Sequence, residues 1–222
     1  MSEIVFLSLQ VAFLATALVL PLAILAAWAL VRLAPIPRTI LSVAVHLPLV
    51  LPPVVTGYVL LIVFGRRGIV GQFLDSIGLG VSFNWTGAAL AAAVMAFPLV
   101  VRPIRLAFEQ QDPQLDAMAA TLGANGLRRF ATIAIPLAVP GLLAGLVLGF
   151  AKALGEFGAT ITFVSNIPGE TQTLSLAIYT LLQSPAGDDT ALKLIGFSIL
   201  LSVLAVLASE ILTARMALRA DR

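Results

Sequence analysis

The chain has 222 residues, 60% of them hydrophobic and only 11% charged, and its mean hydropathy is +1.06. A soluble domain would carry about 25% charged residues, so the composition excludes a water-soluble globular protein and indicates an all-α polytopic membrane protein forming a single transmembrane domain over residues 1–222. The net charge of +2 and pI near 9.5 need no nucleic-acid partner, because arginines at membrane ends account for them. With no cysteine there is no disulfide framework, thiol nucleophile or thiolate metal site, and the single histidine, His46, excludes a cage of several imidazoles.

From the N-terminus, Ile4 to Val31 is free of charge. It exceeds the roughly 20 apolar residues needed to cross hydrocarbon and lacks a basic leader region and a cleavage site, so it reads as a retained first span. Leu33 to Pro37 is a short turn with two prolines, and Thr39 to Gly65 is the second span, kinked at Leu51-Pro52-Pro53 because proline removes a backbone donor. His46, before that kink, reads as a packed, hydrogen-bonded histidine rather than a proton relay. Arg66 to Phe83 is a glycine-rich loop with room for a short surface helix.

Trp85 to Val101 is the charge-free part of a third span, with Arg102 and Arg105 at its exit, snorkelling to the surface. A polar island follows. Asp112-Pro113 is a helix start, with a carboxylate cap and proline at the first helical position, and Asp116 adds negative charge near the same helix end. Leu115, Met118, Ala119 and Leu122 repeat at i, i+3, i+4 and i+7, one helical face. Gly123-Ala124-Asn125-Gly126 then breaks the helix. A short amphipathic helix lying along the surface, with no anchor of its own, suits docking on a soluble partner.

Phe130 to Ala151 begins the fourth span, which extends to about Phe157. It carries Gly141, Gly145 and Gly149, a small-residue stripe that lets helices approach closely or lines a moving pore. Lys152 and Glu156, at i, i+4, form either a neutralised pair that fixes packing or a polar element at the mouth of an anion path; together with Gly149, Pro52 and Pro53 they are the candidate path residues. Ala159 to Asp189 is more polar and accommodates a short helix at Thr173 to Leu182. Leu194 to Ser209 is the charge-free part of a fifth span. A sixth crossing within 159–185 is the alternative.

Five spans put the termini on opposite sides. With the N-terminus outside, the cytoplasmic side holds Arg32, Arg38, Arg102, Arg105, Arg128, Arg129, Arg215, Arg219 and Arg222, and the outer side holds Arg66, Arg67, Lys152 and Lys193: nine against four, all 13 basic residues. The positive-inside rule therefore places the island and the C-terminus in the cytoplasm. There is no G-x-x-x-x-G-K-[ST] run to cradle ATP, no H-E-x-x-H and no nucleophile elbow. Nothing assembles an active site, and no cluster of arginines resembles a dedicated anion cage.

The island resembles the EAA loop of binding-protein-dependent ABC importer permeases: E-A-A, three residues, G, nine residues, I-x-L-P. Gly123 is followed after nine residues by Ile133-Ala134-Ile135-Pro136; Ala117-Met118-Ala119 stands where E-A-A is expected, with Asp116 one residue earlier. Two further runs, Leu154-Gly155-Glu156-Phe157-Gly158-Ala159-Thr160 with Asn166-Ile167-Pro168-Gly169-Glu170-Thr171, and His46-Leu47-Pro48-Leu49-Val50-Leu51-Pro52-Pro53, resemble the permeases of molybdate importers in the branch shared with sulfate and tungstate. The resemblance implies a type I importer transmembrane fold and a homodimer in the bacterial inner membrane. It also implies two separate cytoplasmic ATPase subunits that bind ATP and magnesium, and a periplasmic or lipid-anchored molybdate-binding protein. The loop over about 109–135 would be the coupling loop, with Leu115 to Ala119 and Leu122 to Gly126 docking on the ATPase. This chain would bind no cofactor and catalyse nothing. A sulfate, thiosulfate or tungstate permease is the alternative, and an ion-coupled secondary carrier a more distant one.

Overall fold

The computed structural model describes residues 2–184 and 188–220, and all regular structure in them is helical. Three helices form the centre: α1 (Ser2–Arg32), α5 (Trp85–Glu109) and α8 (Ile135–Leu154). Their mutual faces are small. α1 buries Ala12, Ala15, Ala23 and Ala27, and α5 buries Ala88, Ala89, Ala91, Ala92 and Ala96. In hydrocarbon there is no hydrophobic drive between helices, so association depends on close van der Waals fit, which small side chains permit. The glycine stripe of α8 serves this fit. A Cβ on Gly141 would stand 2.6 Å from the Pro103 carbonyl, and one on Gly145 would stand 2.9 Å from that of Val100. Gly149 faces the Val100 side chain in the same way.

α1 and α5, and the run Gly126–Leu154 that contains α8, are each long and apolar enough to cross a membrane. The second span departs from the sequence expectation. It is not one kinked helix over Thr39–Gly65 but two, α2 (Pro35–Val50) and α3 (Pro53–Phe64), meeting at 113°. Pro52 and Pro53 together withhold two N–H groups, and Leu51 is extended (φ −68°, ψ 142°), so the ladder ends rather than bends. Nor do the prolines of Leu33–Pro37 form a turn: Pro35 and Pro37 open α2, where missing N–H groups cost nothing. The short helix expected in the following loop is α4 (Ile69–Ser76).

The island folds as α6 (Pro113–Thr121) and α7 (Gly126–Arg129), joined through a π-helical turn, Phe130–Ala134, to α8. α8 ends at Leu154, short of Phe157, and after the corner Gly155–Phe157 the chain continues as α9 (Gly158–Val164). α9 and α10 (Leu174–Leu182) have 7 and 9 residues, too short to cross. α11 (Asp188–Ala220) contains the apolar run Leu194 to Ser209, and its Leu194 is buried with Leu174 and Ala177 of α10. Arg222, one of the counted cations, lies outside the described residues.

α3 packs on α9 at one tight crossing. A Cβ on Gly57 would come within 2.5 Å of the Ala159 carbonyl oxygen, 2.9 Å of the Ala159 Cα and 2.9 Å of the Thr162 Cβ. Two of these three are backbone atoms and cannot rotate away. Gly57→Val is therefore expected to cost about 1–3 kcal/mol or more through overpacking, visible as a lower melting temperature of the detergent-purified protein. An unchanged melting temperature would contradict this packing.

Candidate functional site

The α6 region is assembled by capping and ion pairing rather than burial. Asp112 Oδ1 accepts the Gln114 N–H at 2.9 Å, and Asn125 Oδ1 accepts the Arg128 N–H at 2.9 Å, so both short helices start with satisfied donors. Between them Gly123 takes φ +85°, a left-handed conformation that reverses the chain, and a Cβ there would meet nothing within 4 Å. α6 has no buried residue. Leu115, Met118 and Leu122 are 44%, 63% and 87% exposed, so the apolar face read from the sequence is uncovered in this chain; Ala119 and Ala124 are half-buried, while Ala117 and Gly126 are exposed.

What attaches α6 to the rest is Asp116. Its Oδ2 lies 2.9 Å from Arg129 Nη1 and 3.5 Å from Arg32 Nη2, and the same Arg129 nitrogen donates to the Asp116 carbonyl at 3.2 Å. One carboxylate thus ties α6 to both α7 and the end of α1. Arg32 is held in turn over the Trp28 ring, 4.2 Å from its centroid, and Trp28 stacks on Phe130 at 5.0 Å. The π turn is pinned as well: Gln111 Nε2 donates to the Ala134 carbonyl at 2.8 Å, next to Pro136, which has no N–H for the ladder. A cavity of about 460 Å³, lined by Arg32, Glu109, Asp112, Leu115 and Asp116 among others, separates α6 from the helix ends above it. α6 is therefore a raised, braced helix with an open apolar face.

The second group of candidates meets at the α8–α9 corner. Glu156 is 3% exposed and uses both oxygens: Oε2 takes Lys152 Nζ at 2.6 Å, and Oε1 accepts the Ala159 N–H at 3.0 Å at the start of α9. A buried carboxylate needs such partners, since an unpaired one would carry a large desolvation cost. Pro53 lies against the same corner, where a Cβ on Gly158 would stand 2.7 Å from the Pro53 Cβ. Lys152, Glu156 and the Pro52-Pro53 break thus share one place in the fold, and Gly149, one turn before Lys152 on α8, faces Val100 of α5. Sequence spacing showed the Lys152–Glu156 pair but gave no signal for the Ala159 bond, which depends on the helix stopping at Leu154.

These observations define an all-helical membrane bundle with a braced helix standing off one end, and solved importers share the fold. The structure superposes on a bacterial ABC transporter involved in import of the polysaccharide alginate with a TM-score of 0.75, at 19% identity, covering 96% of this chain and 78% of that one. On an amino acid ABC transporter the TM-score is 0.65 at 18% identity, covering 96% and 92%. The profile of the family described as binding-protein-dependent transport system inner membrane component matches residues 19–218, and the chain belongs to that family. It is 53% identical to the molybdenum transport system permease protein ModB of Haemophilus influenzae over 95% of this chain and 92% of that one. To ModB of Escherichia coli K12 it is 54% identical, over 94% and 91%. The sulfate transport system permease protein CysT of Salmonella typhimurium is 38% identical over 80% of this chain and 65% of its own. The chain is thus an integral inner-membrane protein.

The brace yields a measurable coupling. Both side chains are partly exposed, 34% for Asp116 and 22% for Arg129, so screening limits the pair to about 0.2–1 kcal/mol. A double-mutant cycle of Asp116→Asn and Arg129→Gln, read by thermal unfolding, is expected to return a coupling energy in that range. A value of zero would remove the pair from the account of how α6 is held.

Proposed function

We propose that this chain is the membrane-spanning subunit of an ATP-driven importer of molybdate. The observation that carries the reading is identity above 50% to two molybdenum permeases over more than nine-tenths of each chain, while the sulfate permease matches less closely and over less of its length. Residues 1–222 act as one transmembrane domain with five spans: α1, the broken α2–α3, α5, α8 and α11. The N-terminus lies outside and the C-terminus in the cytoplasm, the arrangement favoured by the basic-residue count. Two copies pair around the path, two ATPase subunits bind below, and a periplasmic or lipid-anchored binding protein delivers the oxyanion. ATP and magnesium belong to the ATPase; this chain binds no cofactor and catalyses nothing.

In this reading the loop over 109–135 is the coupling loop and α6 the coupling helix. Its exposed Leu115, Met118 and Leu122 enter an apolar groove of the ATPase, while Asp116 holds the helix to its own chain. Closure of the ATPase pair pushes α6, and the push passes through α7 and the π turn into α8. The path runs beside the corner formed by Pro52, Pro53, Lys152 and Glu156, and Gly149 lets α8 slide on α5. The permease need not hold its substrate tightly, since a strong site inside the path would slow release.

Two measurements test the reading. The first is uptake of labelled molybdate by proteoliposomes containing the permease, its ATPase and the binding protein, in competition with tungstate and sulfate. Sulfate is expected to compete poorly, and equal competition by sulfate would move the substrate assignment to that anion. The second is Gly123→Leu. The left-handed backbone costs a side chain about 1–2 kcal/mol, and within the chain the new side chain meets open space. The variant is therefore expected to insert and fold while losing ATPase association in pull-down from detergent. Full association would exclude this surface as the docking site.

A further inference from the structure

A cavity of about 270 Å³ lies between α2 and α5, lined by His46, Val101, Arg102, Arg105, Leu106 and Glu109. Its depth is fixed by an ion pair: Arg38 Nη2 of α2 lies 3.4 Å from Glu109 Oε1 of α5, putting these two residues at one level. The helices run in opposite directions from there. His46 is eight residues beyond Arg38 (46 − 38) and Arg102 seven before Glu109 (109 − 102). At 1.5 Å rise per residue, both sit roughly 10–12 Å further into the bundle. Arg102 is thus about two turns before the end of α5, on the wall of this cavity.

The cations of the cavity are unequally committed. Arg105 Nε is held by Glu109 Oε1 at 2.8 Å, and the same oxygen takes Arg38. His46 places Nδ1 2.8 Å from the Ser42 carbonyl, leaving only Nε2 for the cavity. Arg102 is exposed, and among the described residues it has no acidic group within 4.0 Å. Of the charged residues lining the cavity, Arg102 and Arg105 are cationic and Glu109 anionic, and Glu109 is shared further with Arg38, so the lining is net positive. A guanidinium without a carboxylate partner offers paired donors that match a tetrahedral oxyanion. α2 buries only Val45, so the wall opposite Arg102 is lightly packed.

We propose that this cavity is a waypoint for the transported oxyanion, with Arg102 contacting the dianion, Arg105 as a second cation restrained by Glu109, and His46 forming the opposite wall. The proposal rests on the importer reading and adds a site to it. One free guanidinium gives a weak, fast-exchanging site, as transit requires.

The test uses the complete transporter, with ATPase and binding protein, in phosphatidylcholine liposomes. Arg102→Gln is expected to keep ATPase stimulation by the loaded binding protein but to lower molybdate uptake about tenfold or more, the loss expected when a charge-assisted hydrogen bond is not made. Arg102→Lys is expected to retain part of the uptake. Because the chain has no cysteine, Leu106→Cys gives a single reporter in this subunit, on the cavity wall. Tungstate should slow its maleimide labelling when Arg102 is present and not in the Arg102→Gln background. Undiminished uptake by Arg102→Gln, or labelling indifferent to tungstate with Arg102 intact, overturns the site. Protection that requires phosphatidylglycerol and ignores tungstate assigns the cavity to a lipid headgroup and also overturns it. Should Arg102→Gln fail to assemble, the tungstate effect in the Arg102-intact protein decides. Failure of the unaltered transporter to carry molybdate would instead remove the importer reading.

Discussion

Everything in this fold depends on how closely α1, α5 and α8 approach. Inside a bilayer, burying a leucine against another helix gains little over burying it in lipid, so cohesion must come from contact distance. The alanines of α1 and α5 and the glycines of α8 supply that distance, and the backbone of α5 at Val100 and Pro103 is within reach of α8 as a result. The pattern also explains where large side chains lie. Phe6, Phe13, Leu22, Leu25, Ile40 and Val50 are exposed in the isolated chain, and lipid or a partner takes them at no cost.

A bundle held by fit leaves its few charges to specify geometry at the ends. Asp116 ties three elements together, Glu109 takes two arginines, and Glu156 closes the α8–α9 corner with one oxygen on Lys152 and the other on the Ala159 amide. Each of these carboxylates serves more than one partner, so few acidic groups suffice. They also decide which helix ends can move separately. Among the described residues α6 is joined to α1 by a partly exposed ion pair, whereas α7 and α8 are continuous through the π turn.

Long apolar runs made α1, α5 and α8 legible in the sequence, and local chemistry made α6 legible: Asp112-Pro113 starts it and Gly123 stops it, as the caps and the positive φ confirm. What was not legible was long-range. Pro52-Pro53 announced an interruption, but neither the 113° angle nor the packing of α3 on α9 through Gly57 and Gly158 could be read from it. Asp116 was read as a helix-end charge, yet its main partner is thirteen residues away at Arg129. Arg102 and Arg105 were expected to snorkel. The structure adds that Arg105 bonds Glu109 one turn on, and that Arg102 lines a cavity with His46, 56 residues earlier. The sequence put Arg102 and Arg105 together but not beside His46 and Arg38, which reach them only once α2 lies along α5.

Magnitudes decide how force crosses the α6 region. Driving a two-state equilibrium from 1:99 to 99:1 requires about 5.5 kcal/mol of differential interaction. Partly exposed ion pairs such as Asp116–Arg129 and Asp116–Arg32 contribute at most about 1 kcal/mol each, so together they cannot transmit that difference without breaking first. The covalent route can. From Asn125 the chain passes through α7 and the π turn into α8, with Gln111 bracing the Ala134 carbonyl and Phe130 stacked on Trp28. In the proposed coupling role, a displacement of α6 would be carried by backbone into α8, with the Asp116 pairs setting the orientation from which it begins. Under the proposed docking, Asp116 needs no partner on another subunit to matter: its pairs with Arg129 and Arg32 hold α6 in the position where Leu115, Met118 and Leu122 stay exposed.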